Sequence, residues 1–232
     1  MKYIRTLTVI TDGDIHHNEI PLFRGAVIKS LGEHPNIYFH NHLSDDKFRY
    51  AYPFIQYKRI GGKAAIVCVE DAVDLIGQFL TEVNGVLTIG ERQITCQTSR
   101  IQPARILVQT WEDTFKYHIS RWLPLNSKNY QAYQNIDGMV ERITFLENIL
   151  KANLLSMLKG LSIHLEKELI LKISELSEPY LLTNKGVKMM AFNAEFKCNL
   201  SIPNNLGIGK NASIGCGTVH QLRKEHTEKE TK

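Results

Sequence analysis

The sequence contains little cysteine, and its four cysteines, Cys68, Cys96, Cys198 and Cys216, form no C-x-x-C pair. This spacing argues against a zinc ribbon, and because no secretory signal is recognisable we expect reduced thiols in a cytoplasmic protein. The sequence also lacks an uninterrupted apolar run of about 18 residues, the length needed to span a bilayer. No contact with a membrane is therefore predicted.

An excess of charge of one sign is also missing. The chain has 28 Lys and Arg against 24 Asp and Glu, which gives a net charge of only +4 and a pI near 8.8. Such a mild balance excludes a histone-like protein, so any contact with nucleic acid must come from local patches. With 232 residues and 43% hydrophobic content, the chain can form one large or two ordinary domains with real cores.

Glycine, in contrast, is concentrated near the C-terminus, where residues 207–217 contain four glycines in two G-x-G pairs. Glycine tolerates positive φ and has no Cβ, so this glycine segment can press backbone N–H groups against a phosphate chain. A plain glycine turn between two strands is the alternative. The residues predicted to bind a polyanion here are Gly207, Gly209, Lys210, Asn211, Ser213, Gly215 and Gly217.

Two nucleotide-binding motifs can be tested against the glycine segment. As a string, Gly207-x-Gly209-x-x-Ala212 matches the dinucleotide-binding fingerprint, which requires a following helix and a second strand. Only 15 residues, mostly charged or polar after His220, follow Gly217, so neither element can be built. A Walker A loop is excluded because Lys210 is followed by asparagine. The segment is therefore predicted to close a domain and to present its backbone to a ligand.

Hydrophobic periodicity in the first half of the chain predicts the order β-α-β-β-α-β. Pro21 falls where a first-turn proline is tolerated in the first helix. The predicted strands are Tyr3 to Ile10, Ile37 to His42, Tyr52 to Ile60 and a closing strand or hairpin from Gly85 to Thr98, and the predicted helices are Ile20 to Leu31 and Ala72 to Leu80.

The hydrophobic pattern from Pro103 onwards predicts a second arrangement of the same kind, β-α-β-β with a shortened C-terminal end. Its elements are strands Ala104 to Trp111, Leu169 to Leu176, Met190 to Ile202 and Thr218 to His220, and a long helix between Tyr133 and Leu161. The fold class is therefore α+β, with two ferredoxin-like (RRM-like) halves, antiparallel sheets and the glycine segment near the C-terminus. We place the boundary near Ile101, giving domains 1–101 and 102–220, and we expect the polar tail from Gln221 to Lys232 to be disordered.

Sheets of this type carry helices on one face and leave another face or a cleft for RNA. The stretch from Phe48 to Lys63 mixes aromatic and basic side chains, the composition that binds RNA by stacking and charge. The alternative is a strand whose aromatic residues pack in the core and whose basic residues form a solvated edge. The RNA-binding candidates from this stretch are Arg49, Tyr57, Arg59 and Lys63.

Chemistry is predicted at His40-Asn41-His42, because residues i and i+2 of a strand share a face. Two imidazoles can transfer protons in RNA cleavage, one taking the 2′-hydroxyl proton and the other protonating the leaving 5′-oxygen. Lysine or arginine would stabilise charge on the phosphate, and no metal or cofactor is required. A zinc site lacks a third and fourth ligand, and a structural histidine pair is the other alternative. His16 and His17 precede the first helix and either reach the same cleft or stay in a surface loop.

Four segments together resemble the CRISPR-associated repeat-RNA endoribonucleases of the RAMP superfamily: Phe23 to Ala26, Ile37 to His42, Tyr52 to Lys58 and the glycine segment. The resemblance implies ferredoxin-like folds and a metal-independent nuclease that cuts precursor CRISPR RNA within each repeat. It also implies a 5′-hydroxyl and a 2′,3′-cyclic phosphate as the new ends. Members of the family place a catalytic histidine after the first helix, a position that His40 or His42 occupies here.

The partners of the catalytic histidine vary across that family and cannot be copied from it. Tyr38, Lys47 and Lys58 are our candidates for positioning or electrostatic help. The expected binding partner is CRISPR repeat RNA, and a homodimer or an association with other CRISPR effector subunits is left open. The competing hypothesis is a non-catalytic RAMP-type subunit that holds guide RNA in a larger complex.

Overall fold

The N-terminal half is built on a four-stranded antiparallel sheet. The computed structural model describes residues 1–32, 38–39, 42–43, 47–48, 52–82, 85–184 and 186–222. The elements of this half are β1 (Lys2–Asp14), α1 (Ile20–Ser30), β2 (His42–Leu43), β3 (Lys47–Phe48), β4 (Ile55–Ile60), β5 (Lys63–Val69), α2 (Ala72–Glu82), β6 (Val86–Ile89), β7 (Arg92–Thr95) and β8 (Thr98–Val108). The sheet order is β4-β5-β1-β8, with α1 between β1 and β4 and α2 between β5 and β8, which is the ferredoxin-like arrangement.

One predicted strand of this half was wrong, and one strand was missed. Of the predicted strand from Ile37 to His42, the described Tyr38 and Phe39 form a turn, and His42 begins the two-residue strand β2. The third strand of the sheet is β5, which was missed because both of its faces are buried and its sequence therefore shows no alternation. For Gly85 to Thr98, predicted as a closing strand or hairpin, the hairpin is confirmed as β6–β7, a separate two-stranded sheet, and β8 is the strand that closes the main sheet.

The C-terminal half repeats the arrangement with a different ending. Its elements are β9 (Thr110–Trp122), α3 (Ser127–Gln134), α4 (Met139–Gly160), β10 (Leu171–Leu176), β11 (Tyr180–Asn184), β12 (Val187–Leu200) and β13 (Thr218–Gln221). The sheet order is β10-β12-β9-β13, and β11 pairs with β12. Between β12 and β13, where a ferredoxin-like fold has its second helix, the chain forms the glycine segment with a three-residue 3-10 helix, Ala212–Ile214. The α+β class with two ferredoxin-like halves is confirmed.

The second half also corrects several predicted boundaries. Ala104 belongs to β8, and the first strand of this half is β9. The predicted domain boundary near Ile101 falls inside β8, which pairs with β1 from Thr98 to Val108. The predicted long helix is divided, because Tyr133 belongs to α3 and α4 begins at Met139 after Gly138. Gln221 ends β13, and residues 223–232 of the predicted tail lie outside the described residues.

Alternation gives most of β12 one buried and one more exposed face. Its even positions from Phe192 to Leu200 are buried in the same core as the apolar residues of α4, whereas Asn193, Glu195 and Lys197 reach solvent and Asn199 is buried. Among the described residues, no helix is long and apolar enough to cross a membrane. All four cysteines are unpaired and buried.

The N-terminal sheet has no free face at its central strands. One face packs on α1, where Phe23 and Val27 are fully buried. On the other face, Ile4 and Val67 belong to the same core as the apolar residues of α4, and the Lys2 amine donates to the carbonyl of Leu161 at 3.1 Å. The two halves are therefore packed together through this sheet, and an open RRM-like platform for stacked bases is not available there.

Candidate functional site

The segment that carries the predicted catalytic histidines is anchored just before His40. The Tyr38 hydroxyl donates to Asp71 Oδ2 at 3.4 Å, and the Tyr38 ring stacks on Phe54 with 5.6 Å between the centroids. Phe39 is 1% exposed in the N-terminal core. Because an aromatic anchor is stiff and deeply packed, the chain enters the histidine segment from a fixed point.

The same segment is anchored again where it ends, at Tyr52. The Tyr52 hydroxyl donates to the carbonyl of Gly207 at 3.0 Å, which ties it to the C-terminal half. Tyr52 also packs so closely on Gly160, in the last turn of α4, that a Cβ at that glycine would overlap the tyrosine. Tyr52 therefore lies at the junction of the two halves.

Between the anchors the described residues form the small β2–β3 hairpin. His42 pairs with Phe48, and Leu43 pairs with Lys47. His40 and Arg49 lie outside the described residues. The catalytic roles of His40, His42 and Lys47 and the RNA contact of Arg49 therefore stay predictions.

Strand β4 continues from Tyr52 and binds the glycine segment with two further side chains. The backbone N–H of Gly207 donates to Gln56 Oε1 at 2.7 Å. The Lys58 amine donates to the carbonyl of Ala212 at 3.0 Å and to Thr218 Oγ1 at 3.2 Å. We refer to Tyr52, Gln56 and Lys58 as the β4 clamp, which fixes the glycine segment from the opposite half. The sequence prediction missed the contributions of Tyr52 and Gln56, because each residue reads as an ordinary strand residue.

Two candidates on β4 are buried rather than presented to RNA. Lys58 is 1% exposed, so its amine contacts the glycine segment and not a bound phosphate, which corrects its predicted role as an electrostatic helper. Burial also lowers the pKa of Lys58 to about 7. Tyr57 is 1% exposed and packs edge-on against Phe23 at 5.8 Å, so its predicted stacking on RNA is replaced by packing in the core.

Because the amine of Lys58 is buried, we expect the free energy of unfolding to depend on pH in an unusual way. Because the folded pKa of Lys58 is about 7 and lies below the unfolded value, the unfolded state binds more protons above pH 7, and stability rises with pH there. Relative to Lys58→Met, the wild type should gain about 2 to 3 kcal/mol of unfolding free energy between pH 7 and pH 9. Urea denaturation of both proteins at each pH measures this difference. A parallel pH dependence in the two proteins would contradict it.

The four glycines of the glycine segment contact protein atoms. A Cβ at Gly209 would lie 2.7 Å from Asn153 Oδ1, and a Cβ at Gly215 would lie 2.5 Å from Ile20 Cδ1. At Gly207 the nearest atom would be the carbonyl oxygen of Ala212 at 2.6 Å, and at Gly217 it would be the carbonyl oxygen of Ile208. The missing side chains therefore permit close packing between α1, α4, β4 and the segment itself. This packing accounts for the glycines without the phosphate contact predicted from the sequence.

The polar residues of the glycine segment are placed differently from its glycines. Lys210 is exposed, and Asn211 and Ser213 are half-buried, so these three remain available for a contact with RNA. Asn211 has left-handed backbone with φ of 58°, and its carbonyl accepts the N–H groups of Ile214 and Cys216 at 3.0 and 3.3 Å. The backbone groups of the glycine segment thus largely form hydrogen bonds that stabilise its own turn.

The basic candidates on either side of the turn between β4 and β5 differ from each other. The Lys63 amine donates to the carbonyl of Asp12 and to Asp14 Oδ2 at 2.9 and 3.0 Å, so its charge is compensated. Arg59 is exposed, and its Nε donates to the carbonyl of Ile15 at 2.7 Å. Of these two residues, Arg59 is the better placed to contact RNA.

The described residues contain no group of three or more His, Cys, Asp or Glu side chains that could hold a metal ion. The zinc alternative for the histidine pair therefore gains no further ligand from the described part of the chain. His16 and His17 are exposed and begin the short 3-10 helix His17–Glu19 beside Arg59.

Comparison with known proteins gives matches over both halves. The model of the Cas6b N-terminal domain matches residues 2–106, and that of the Cas6b C-terminal domain matches residues 109–222. An uncharacterised protein of Methanocaldococcus jannaschii is 41% identical over 109 residues, which are 47% of this chain and 73% of that protein.

Solved structures agree with these matches. A crystal structure of Cas6b has a TM-score of 0.86 and 28% identity, covering 95% of this chain and 100% of the other. A crystal structure of the CRISPR RNA processing endoribonuclease Cas6b has a TM-score of 0.72 and 25% identity over the same shares. A RAMP protein described as binding different RNA substrates shares the fold, with a TM-score of 0.52 and 11% identity over 95% of this chain and 99% of its own.

Proposed function

Since the chain belongs to the Cas6b family and is an endoribonuclease of CRISPR RNA processing, we propose that it cuts precursor CRISPR RNA within each repeat by a metal-independent route. In this route the 2′-hydroxyl on the 5′ side of the cut attacks the adjacent phosphorus, and the bond to the 5′-oxygen of the next nucleotide breaks. The products are a 2′,3′-cyclic phosphate and a 5′-hydroxyl. No water and no cofactor enter this step.

The observation that carries the proposal is the match to the Cas6b family over both halves of a chain that has His40 and His42 between two anchored tyrosines. The segment is held at Tyr38 and Tyr52, and Tyr52 bonds to the glycine segment of the other half. Anchors on both sides of the histidines favour a defined position for them, which suits catalysis on a single-stranded or splayed RNA.

The chemistry assigned to His40 and His42 follows from the reaction. One neutral imidazole accepts the proton of the 2′-hydroxyl, and one imidazolium donates a proton to the departing 5′-oxygen. Unperturbed histidine has a pKa near 6.5, so both protonation states are populated near neutral pH. Lys47 is proposed to stabilise the negative charge on the phosphate in the transition state.

The competing hypothesis of a non-catalytic RAMP-type subunit is not supported by the family, because the matched relatives include a processing endoribonuclease. Binding to repeat RNA is common to both hypotheses. A homodimer or a contact with other effector subunits stays a prediction.

The proposed route is tested by incubating the protein with labelled repeat RNA from the same genome in the presence of EDTA. We expect a single cut per repeat at an undiminished rate, because the route needs no divalent ion. Mass spectrometry of the upstream fragment should find the cyclic phosphate, 18 Da lighter than the acyclic phosphate that acid treatment produces. A cut that stops in EDTA, or an upstream fragment with a free 3′-hydroxyl, would overturn the mechanism.

A further inference from the structure

A groove of about 590 Å³ opens where the chain passes from the first half to the second, between the end of β8 and the start of β9. The residues that line it include two aromatic rings, one arginine and two carboxylates, which are Trp111, Phe115, Arg105, Glu112 and Asp113. We refer to these five residues as the Trp111 groove. None of them takes part in the proposed cleavage step.

Trp111 is the accessible one of the two tryptophans in the chain. It is 40% exposed, whereas Trp122 is fully buried. The indole N–H of Trp111 donates to Ser201 Oγ at 3.0 Å, and the Ser201 hydroxyl donates to the carbonyl of Leu107 at 2.6 Å. The indole also packs edge-on against Phe115, with 6.3 Å between the ring centroids. These contacts fix the ring, so its exposed part offers a preformed surface to a planar ligand.

The arginine of the Trp111 groove carries a charge that no described carboxylate neutralises. Arg105 is exposed, and its guanidinium lies over the ring of Tyr3, 4.5 Å from the centroid. Its cross-strand neighbour Arg5 already pairs with Asp74. In the part of the chain that the structure describes, Arg105 forms no ion pair. A guanidinium held against an aromatic face keeps its in-plane donors for an anion.

The carboxylates of the Trp111 groove decide between a phosphate and a nucleobase as the ligand of its centre. Glu112 pairs with Lys167, whereas Asp113 is exposed and forms no ion pair with another described residue. An uncompensated carboxylate repels a phosphate, but it accepts a hydrogen bond from the amino group of a base. An aromatic ring beside such a carboxylate therefore matches a base, and Arg105 matches the phosphate attached to it.

The Trp111 groove is separated from the anchor of the histidine segment by the end of α4. Tyr52 packs on Gly160, and the Lys2 amine donates to the carbonyl of the next residue, Leu161. Lys2 pairs with Val108, which ends β8 beside the groove. The nucleotide that occupies the groove is accordingly not the one at the predicted cleavage site.

We propose that the Trp111 groove binds one unpaired base of the repeat RNA, with the base stacked on Trp111, its amino group donating to Asp113 and its phosphate on Arg105. The inference rests on the proposed function, because it takes RNA as the ligand. Adenine, cytosine and guanine have an exocyclic amino group for the carboxylate, whereas uracil has none. The groove thus adds affinity and selects among bases at a position away from the cut.

The fluorescence of Trp111 tests the stacking directly, because Trp122 is buried away from any ligand in the groove. The protein is titrated with repeat RNA that carries 2′-O-methyl groups throughout, so that no 2′-hydroxyl can attack. Stacking of a base quenches indole emission, so RNA should lower the emission of the wild type but not that of Trp111→Leu. Unchanged emission of the wild type in its RNA complex would overturn the inference, whether or not any variant folds.

The affinity for the same RNA tests the aromatic and the basic contact. Trp111→Leu is expected to bind about tenfold more weakly, and Trp111→Phe, which keeps an aromatic ring, should recover most of the loss. Arg105→Gln should weaken binding and reduce the slope of log affinity against log salt by about one. Tyr130→Leu removes a ring of similar exposure from α3 and is the matched control, which should bind like the wild type. All four variants should cleave bound RNA at the wild-type rate.

Asp113→Ala distinguishes a base from a phosphate by the sign of its effect. A carboxylate that accepts from a base is needed for affinity, so its loss should weaken binding. Unchanged or stronger binding would contradict the contact with a base, since a phosphate in the groove would be released from repulsion.

An abasic nucleotide, placed in turn at each position of the repeat, identifies the bound base. At one position it should weaken binding to the wild type and add nothing to the defect of Trp111→Leu, because a shared contact is lost only once. Uracil at that position should weaken binding to the wild type but not to Asp113→Ala. If no position shows this coupling, the inference fails.

These outcomes are distinct from failure of the proposed function. If the wild type neither binds nor cuts repeat RNA, the proposed function and the inference fail together. If the wild type cuts repeat RNA in EDTA while Trp111→Leu binds it normally, the function stands and the inference does not. A change in the solution mass of Trp111→Leu in that case would assign the groove to a protein contact instead.

Discussion

Replacing His40 or His42 with alanine is expected to lower the cleavage rate of bound repeat RNA by about 100-fold to 10,000-fold, the usual effect of removing a general acid or base. The affinity for RNA should change by less than about twofold, because the predicted role is proton transfer and not anchoring. Single-turnover cleavage at saturating protein separates the two quantities. It reports the rate within the complex, while filter binding of 2′-O-methyl repeat RNA reports the affinity.

His164→Ala is the matched control for these variants, since His164 is exposed and lies outside the histidine segment. It should cleave at the wild-type rate. The pH dependence of the rate adds a further check, because an acid and a base acting together give a bell-shaped profile that each single variant reduces to one limb. If both histidine variants retain the wild-type rate, the pair is structural and the chemistry belongs to other residues.

Gly217→Ala is expected to destabilise the protein by about 3 kcal/mol or more, or to prevent folding. Gly217 has φ of 60°, which is strained for alanine, and the added Cβ would overlap the carbonyl oxygen of Ile208. The overlap cannot be relieved by a side-chain movement, because Ile208 is held through its own N–H on the Gly217 carbonyl at 2.8 Å. Chemical denaturation followed by circular dichroism measures the loss of unfolding free energy.

Substitutions at two other glycines separate the contribution of backbone strain from that of the steric overlap. Gly186 has φ of 76° but no atom within 4 Å of an added Cβ, so Gly186→Ala measures backbone strain alone, about 1 kcal/mol. Gly25 lies in α1 with open space around it, and Gly25→Ala should be neutral or stabilising by up to about 1 kcal/mol. A loss at Gly217 no greater than the loss at Gly186 would show that the packing of the glycine segment is looser than described.

The order of elements could be predicted from sequence because the hydrophobic period of an amphipathic segment identifies it as a helix or a strand. The helix that buries Phe23 and Val27 and the alternating strand β12 were both recognised in this way. Strand β5 has no such pattern, since a strand buried on both faces looks like any short apolar run. The neighbouring strand β4 was recognised, but the strand that pairs with β4 in the sheet could not be inferred.

The candidate site shows a different limit of sequence reasoning. A cluster of glycines indicates that side chains must be absent, but not whether a phosphate or another part of the protein occupies the space. Here Asn153, Ile20 and the segment's own backbone occupy it. Similarly, Lys58 and Arg59 are neighbours in sequence, and strand geometry sends one into the junction of the halves and the other to solvent.

The β4 clamp also constrains the order in which the protein can fold. Its hydrogen bonds join residues that are 151 to 160 positions apart in the chain, and the segment they hold leads directly into β13. Contacts of such long sequence separation form late in folding, because the chain must lose the entropy of closing a large loop before the contact can stabilise it. During synthesis, the amine of Lys58 can therefore meet its acceptors only after Ala212 and Thr218 have left the ribosome. Nascent protein should stay protease-sensitive at β4 until that late step, and then become resistant in both halves at once.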